Sequence, residues 1–225
     1  MKNTNGPNIG LILAAGQGRR FGGPKQFHAI HGQPVLIYSI SAFNRCWDVS
    51  FVVVVTNRAR IDDVQHLLRS RGLRKVAHVV AGGQERGDSV ERGLAVLPEQ
   101  GWVAIHDAAR PVITPRMISD GFRACHVRGP LTYGCELADT VKRVRGERIV
   151  ETLDRAELIA VQTPQFFPIA LLRQAYEAAR KEHVTAGDDC ALVERLGVDI
   201  SWLPGPRTNI KITTPEDLKL CTALL

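Results

Sequence analysis

Short apolar runs alternate with amphipathic stretches along the first half of the chain. The runs are continuous and rich in β-branched residues, as is typical of strands buried on both faces of a parallel sheet; they cover residues 9–13, 51–55, 76–80 and 102–106. Between them, apolar positions recur at helical spacing over 35–43, 61–71 and 89–97. This alternation predicts an α/β fold with a mostly parallel sheet and helices on both faces.

One segment breaks this alternation. Residues 140–153 contain two β-prone runs on either side of Arg145, Gly146 and Glu147, which is the pattern of a hairpin with a glycine-containing turn. The segment has many charges and little apolar content, so we expect an arm that projects from the domain. An isolated hairpin is marginally stable in water. We therefore expect a homodimer, in which the arm packs against a second copy.

The remaining chain returns to compact elements. After an apolar stretch over 158–167 we predict helices over 169–182 and 188–196, and strands near 200–203 and 210–213. A last helix has a clear start, with Thr214 as N-cap, Pro215 at the first helical position and Asp217 completing a capping box. At 225 residues, the chain is expected to form one domain over 1–225, with 138–155 as a protruding dimerisation arm.

Composition and charge narrow the function classes. The net charge of +6 favours polyanionic ligands, but the cations are scattered without interleaved aromatic residues, so we expect no nucleic-acid partner. No apolar run approaches the ~20 residues that cross a bilayer, and the polar start Met1–Asn8 lacks a signal-peptide core. The five cysteines form no C-x-x-C pair. We expect a cytoplasmic protein without a membrane partner and without a zinc site.

The loop over 13–27 is the strongest candidate for chemistry. It follows the first strand, where open α/β sheets bind ligands, and it holds four glycines, three cations and no acid. Phe21 stands where a dinucleotide fingerprint needs its third glycine, and Lys25 precedes Gln26 rather than the Ser or Thr of a Walker loop. A glycine-rich turn with solvated arginines would also fit. We interpret the loop as a triphosphate cradle.

Six motifs in chain order carry a resemblance to a known family. The first loop reads A-A-G-x-G-x-R followed by P-K-Q, and it resembles the signature loop of sugar-phosphate nucleotidyltransferases. The others are G-G-x-E-R-x-D-S-V at 82–90, H-D-A-A-R-P at 106–111, D-T-V-K at 139–142, T-P-Q-F-F at 163–167 and N-I-K-I-T-T-P-E-D-L at 209–218. Together they resemble the 2-C-methyl-D-erythritol 4-phosphate cytidylyltransferases of the non-mevalonate isoprenoid pathway.

This resemblance implies a single-domain, Rossmann-like nucleotidyltransferase fold. It also implies transfer of the cytidylyl group of CTP to methylerythritol phosphate, a sugar-alcohol phosphate, with release of pyrophosphate and with Mg²⁺ as cofactor. The implied catalytic residues are Arg20, Lys25 and Lys211. The implied nucleotide-binding residues are Ala14, Ala15, Gly16, Gly82, Gly83, Ser89, Asp107 and Ala108. The implied substrate-binding residues are Asp107, Arg110, Thr140, Arg155, Thr163 and Lys211, with Thr140 and Arg155 reaching the partner subunit's site and Asp107 as the candidate Mg²⁺ ligand.

The chemistry agrees with these residue types. The attacking phosphate is already anionic, so cations that overcome repulsion matter more than a general base. Local alternatives remain open: Asp107 could pair with Arg110, Gly82 and Gly83 could form only a strand-to-helix turn, and His106 is expected to pack rather than transfer protons. Gly187 stands where the family often has a threonine. This departure keeps ribitol-5-phosphate cytidylyltransferase as the alternative, while the arm sequence favours methylerythritol.

Overall fold

A seven-stranded sheet forms the centre of the computed structural model, which describes residues 6–225. Its order is β11-β7-β10-β6-β1-β4-β5, and β10 alone runs antiparallel to its neighbours. The seven strands are β1 (Asn8–Ala14), β4 (Phe51–Thr56), β5 (Val76–Ala81), β6 (Trp102–Asp107), β7 (Leu131–Glu136), β10 (Ile159–Pro168) and β11 (Ser201–Pro204). Two small antiparallel pairs, β2 (Ala29–Ile30) with β3 (Gln33–Pro34) and β8 (Val141–Arg145) with β9 (Arg148–Leu153), stand apart from it.

Helices cover both faces of this sheet. They are α1 (Val35–Arg45), α2 (Ile61–Ser70), α3 (Arg86–Leu94), α4 (Pro115–Arg128), α5 (Ile169–Lys181), α6 (Asp189–Glu194) and α7 (Pro215–Leu224). Alternate residues of β4 point to opposite faces, so that Val54 packs in the core with α1, α2 and α4 while Val53 packs with α3, α5 and α6. The last helix, α7, begins with the expected capping box of Thr214 and Asp217.

The predicted fold class is confirmed, but two parts of the element prediction are not. The sequence interpretation passed over α4 and β7, which occupy most of the chain between β6 and the arm. The strand expected near 210–213 is wrong, because this segment has no regular structure and joins no strand ladder of the described chain. The backbone N–H of Ile212 donates to Ala109 O at 2.8 Å, and its side chain packs with Ile30 and Val35 beside the sheet. Its apolar residues therefore belong to a separate small cluster.

The predicted hairpin is present and forms a two-stranded sheet of its own. The two-residue turn between β8 and β9 contains Gly146 at φ +59°, in the left-handed region that glycine adopts without strain. Val144 and Ile149 pair across the hairpin, yet their exposed fractions are 59% and 66%. The arm thus presents large apolar side chains to solvent within a single chain.

Two further expectations concern location. Among residues 6–225, no helix is long and apolar enough to cross a bilayer. All five cysteines are free, and each is buried except the half-buried Cys135. We expected that the segment Met1–Asn8 is not a signal peptide. Most of this segment lies outside the described residues.

Candidate active site

One cavity collects the carboxyl ends of four parallel strands. Strands β1, β4, β5 and β6 all end at its rim, and its volume is about 510 Å³. This is the edge at which open α/β sheets bind ligands. Ten of the predicted site residues line this strand-end cavity: Ala14, Ala15, Gly16, Arg20, Lys25, Gly82, Gly83, Ser89, Asp107 and Lys211.

The first loop is folded back on itself by hydrogen bonds from one of its side chains to its own backbone carbonyls. The side-chain amide of Gln26 is buried and donates to the carbonyls of Ala14 at 2.8 Å and Gly16 at 2.9 Å. Gly18 has φ +65°, and a Cβ at this position would lie 1.8 Å from the carbonyl oxygen of Gly23. Only glycine fits at this close approach, so the loop shape depends on Gly18 as well as on the glycines that the resemblance selected.

The three cations predicted to be catalytic, Arg20, Lys25 and Lys211, all line the cavity. Burial lowers the pKa of Lys25, and the nearby positive charges of Lys211 and Arg20 lower it further against the opposing pull of Asp107. Like charges at such proximity repel one another, so their convergence disfavours the ligand-free protein. A bound polyphosphate would relieve this repulsion. The sequence analysis predicted such a cluster of cations around a triphosphate, from loops that are distant in the chain.

Asp107 is the acidic centre of this cation cluster. Burial alone would raise its pKa, but Lys211 and Arg86 hold the pKa of the carboxyl well below its usual range. Lys211 Nζ lies 2.5 Å from Asp107 Oδ2, and Arg86 Nε lies 3.5 Å from Oδ1. Asp107 is therefore ionised and can accept bonds from substrate hydroxyls or ligate a cation.

Arg86 is a cavity residue that the sequence interpretation missed. It opens α3, and its guanidinium bridges Asp107 and the buried Asp189, to which Nη2 donates at 2.7 Å. Its position inside the second motif was a usable signal, because an arginine at the first position of a helix that follows a strand lies at the ligand edge of the sheet. The partner Asp189 lies 103 residues away, and no local pattern indicates this contact.

Close packing and side-chain hydrogen bonds restrict the conformation of the Gly82-Gly83 turn. A Cβ on Gly82 would lie 2.3 Å from the Cβ of Ala15, so the two loops touch without room for a side chain. Ser89 Oγ accepts from the Gly83 N–H at 3.1 Å and donates to Glu85 O at 3.2 Å. Arg92 Nη1 donates to Gly82 O at 2.6 Å. Ser89 thus fixes the turn, and α3 begins after Glu85, its N-cap.

Thr163, His106 and Ala108 are buried next to Asp107. Thr163 Oγ1 accepts from the Asp107 N–H at 3.1 Å and contacts His106 Nδ1 at 3.1 Å. His106 is fully buried, and burial lowers its pKa to about 4, so the ring is neutral and packs in the core. Ala108, the residue after Asp107, is also fully buried and packs in the hydrophobic core. Thr163 and Ala108 therefore border the site without lining it.

Three predicted substrate-binding residues lie away from the cavity in the single chain. Arg110 does not pair with Asp107; its Nη1 donates to Asn209 O at 2.7 Å, and its Nε is buried without a partner among the described residues. Thr140 and Arg155 are exposed at the base of the arm, where Arg155 donates to Ala138 O. A single subunit therefore assembles the cation cluster but not the whole predicted substrate site.

Comparison with known proteins decides the family. The family model described as IspD, 2-C-methyl-D-erythritol 4-phosphate cytidylyltransferase, matches residues 9–225. The chain belongs to this family. It is 39% identical over 217 residues to the 2-C-methyl-D-erythritol 4-phosphate cytidylyltransferase of Halalkalibacterium halodurans, covering 96% of this chain and 95% of that protein. The corresponding enzyme of Dehalococcoides mccartyi is 40% identical over 217 residues, with 96% and 94% covered.

Solved structures agree with the assignment. The crystal structure of the 2-C-methyl-D-erythritol 4-phosphate cytidylyltransferase from Thermus thermophilus has a TM-score of 0.79 and 30% identity, covering 95% of this chain and 96% of that one. A crystal structure of 4-diphosphocytidyl-2C-methyl-D-erythritol synthase has a TM-score of 0.82 and 29% identity, with 97% and 98% covered. The predicted family, fold and enzyme class are confirmed. The predicted reaction is cytidylyl transfer from CTP to methylerythritol phosphate in isoprenoid precursor biosynthesis; it too is confirmed, and the ribitol-5-phosphate alternative is not favoured.

A cytidylyltransferase handles a triphosphate, which raises the question of a metal. Within residues 6–225, no group of three or more His, Cys, Asp or Glu side chains could hold a metal ion. Mg²⁺ commonly takes one or two protein carboxylates and obtains its other oxygens from substrate phosphates and water. The ionised carboxylate of Asp107 at the cavity edge fits that requirement.

Proposed function

We propose that the strand-end cavity is the site of cytidylyl transfer and that Arg20, Lys25 and Lys211 are its catalytic residues. An oxygen of the methylerythritol 4-phosphate attacks the α-phosphorus of CTP, the bond from this phosphorus to the bridging oxygen of the β-phosphate breaks, and pyrophosphate leaves. The convergence of the three cations carries the proposal. Preorganised cations stabilise the charge that develops on the phosphoryl oxygens without reorganisation of water.

The two glycine loops bind the nucleotide in this proposal. Ala14, Ala15 and Gly16 contact the phosphates and ribose, and Ala108 lies behind them. The turn of Gly82 and Gly83, fixed by Ser89, presents backbone groups to the base. Cytosine carries an amine donor where uracil has a carbonyl acceptor, so a rigid turn leaves buried polar groups unpaired when UTP binds. The rigidity of the turn supports selection of CTP.

The acceptor substrate lies on the Asp107 side of the cavity. Asp107, Lys211, Arg110 and Thr163 surround it in this proposal. Thr140 and Arg155 arrive from the arm of the partner subunit, because neither lines the cavity of its own chain. The exposed apolar side chains of the arm support a homodimer, since their burial against a second copy removes them from water.

Asp107 would hold Mg²⁺ together with phosphate oxygens of CTP. When bound, the ion supplies neutralisation of the triphosphate charge and so assists the departure of pyrophosphate. Asp107 is already paired with Lys211, which keeps the carboxyl ionised and ready to ligate.

The chain as a whole is proposed to be one domain over 1–225 with 138–155 as the dimerisation arm. We further propose a cytoplasmic location, supported by five cysteines that are all free. Free thiols are the usual state of cysteines in a reducing compartment.

A pyrophosphate-release assay with purified protein and Mg²⁺ tests the activity of the site. CTP with methylerythritol 4-phosphate should give much the highest kcat/KM in a panel that also contains UTP and ribitol 5-phosphate. Comparable use of UTP would contradict the assignment of the Gly82-Gly83 turn. A preference for ribitol 5-phosphate would contradict the substrate assignment and draw attention to Gly187.

A further inference from the structure

A chain of polar contacts runs from the protein core to the strand-end cavity. The hydroxyl of the buried Tyr176 on α5 donates to Asp189 Oδ1 at 2.6 Å. Arg86 donates to Asp189 Oδ2 at 2.7 Å and approaches Asp107, whose other oxygen is held by Lys211. This relay joins a carboxylate with no exposed surface to the cation cluster.

Burial of the Asp189 carboxylate is unfavourable without partners. A buried carboxylate costs several kcal/mol unless charged and hydrogen-bonding partners surround it. Here Tyr176 and Arg86 each take one oxygen, and the backbone N–H of Asp189 donates to Gln165 Oε1 at 3.2 Å. Burial and, after it, the acidic partner Asp189 raise the pKa of Tyr176, so the phenol stays a hydrogen-bond donor. Both carboxylate oxygens of Asp189 are thus occupied, and one of them holds the Arg86 guanidinium.

The geometry of Arg86 shows what this anchor does. Its Nη2 faces Asp189 at 2.7 Å, whereas its Nε stays 3.5 Å from Asp107. Among residues 6–225, its Nη1 has no protein hydrogen-bond partner, although Arg86 lines the cavity. A guanidinium without the Asp189 anchor would be free to turn its planar fork onto Asp107 and form a bidentate pair. That pair would compete with Lys211 for the carboxylate.

We propose that Asp189 is a positioning residue for cytidylyl transfer, acting through Arg86. It holds the guanidinium so that Nη1 points to the phosphate-binding cavity and Asp107 remains available to Lys211. The inference rests on the proposed function of the cavity. It assigns a role to the relay of Tyr176, Asp189 and Arg86, none of which is among the site residues predicted from the sequence.

The central test is a double-mutant cycle on kcat/KM for CTP. Asp189→Asn keeps the shape but removes the charge, and we expect kcat/KM to fall by about 10-fold to 100-fold because the cation is misplaced. Arg86→Met should fall at least as far. The double variant should be no worse than Arg86→Met, because Asp189 has nothing left to position. Effects that simply multiply, or an Asp189→Asn enzyme within twofold of wild type, would overturn the proposal.

Tyr176→Phe keeps the test sharp if Asp189→Asn folds poorly. It removes one hydrogen bond to Asp189 while the ring still packs, so a smaller loss of kcat/KM is expected, and this loss should disappear in an Arg86→Met background. A residue with a purely structural role would lower the melting temperature without changing the kinetic constants of the folded fraction. An unchanged kcat/KM in Tyr176→Phe, together with lowered stability, would count against positioning.

Asp188→Asn is the matched control. Asp188 is adjacent, serves as N-cap of α6 and contacts Gln165, but it does not touch Arg86. Asparagine is an equally good N-cap, so this variant should keep wild-type kinetics. If the wild-type protein releases no pyrophosphate from CTP and methylerythritol phosphate, the proposed function fails; if it does and the variants show no coupling, only the positioning role fails.

Discussion

The strand-end cavity and the arm (residues 138–155) differ in whether their buried charges and large apolar side chains find partners within one chain. Around the cavity, the buried acids Asp107 and Asp189 each have cationic partners, and the glycine turns are fixed by side-chain hydrogen bonds. In the arm, Val144 and Ile149 remain more than half exposed in the single chain. One region satisfies its own requirements, and the other is left incomplete. The contrast agrees with the proposal that nucleotide binding belongs to one subunit and that completion of the substrate site needs two.

Removing a cation from the cavity should have the largest effect. Lys25→Ala and Lys211→Ala should each lower kcat about 10²–10³-fold, or roughly 3–4 kcal/mol, because each deletes a preorganised charge-stabilising donor. The melting temperature of Lys25→Ala should not fall, since burial and like charges disfavour the charged lysine in the folded protein. Steady-state kinetics and thermal unfolding measure both, with the exposed Lys219→Ala as control. Near-wild-type turnover of either variant would remove that lysine from the catalytic set.

Complementation asks directly whether the two regions meet across subunits. Lys25→Ala and Arg155→Ala should each be poorly active, and mixing them under subunit exchange should restore part of the activity. A mixed dimer contains one site with an intact Lys25 from one subunit and an intact Arg155 from the other. Exchange is monitored with differently tagged subunits. Demonstrated exchange without recovered activity would mean that Arg155 acts within its own chain or not at all.

Charges in the arm should weaken assembly by a smaller amount. Val144→Asp or Ile149→Asp places a carboxylate on the apolar face of the hairpin, and we expect dimer dissociation to become easier by about 2 kcal/mol or more. Sedimentation equilibrium measures the dissociation constant. Trp47→Asp is the matched control, because Trp47 is 93% exposed and lies outside the arm. A wild-type protein that is monomeric at assay concentration would contradict the homodimer itself.

The smallest expected effect concerns base selection. Ser89→Ala removes the hydroxyl that links Gly83 N–H to Glu85 O, a hydrogen-bond contribution of roughly 0.5–1.5 kcal/mol. The turn should become less rigid, so the ratio of kcat/KM for CTP to that for UTP should fall by up to about tenfold. Ser70→Ala, at an exposed position of helix α2, is the control and should leave this ratio unchanged. An unaltered ratio in Ser89→Ala would separate the serine from cytosine recognition.

Local sequence patterns predicted the strands and the hairpin whose formation depends mainly on residues close together in the chain. The apolar runs predicted β1, β4, β5 and β6, and the glycine-containing turn predicted the arm, because burial on both faces and turn chemistry leave direct marks on residue types. The strand predicted around Ile212 is absent. Its apolar alternation matches a strand, but its side chains pack into a separate cluster with Ile30. Pattern alone does not distinguish a strand in a ladder from an irregular segment beside the sheet.

The sequence by itself determined which charged residues meet at the site, since Arg20, Lys25, Asp107 and Lys211 could be chosen from motifs and all four line one cavity. Tertiary structure decided how these charges share their partners. Ser89 turned out to hold a turn, Arg110 bonds to a backbone carbonyl rather than to Asp107, and Arg86 is anchored by a carboxylate 103 residues away. Such contacts depend on which strands lie side by side, and hydrogen-bond geometry over a few ångströms is set by the packed fold rather than by neighbours in the chain.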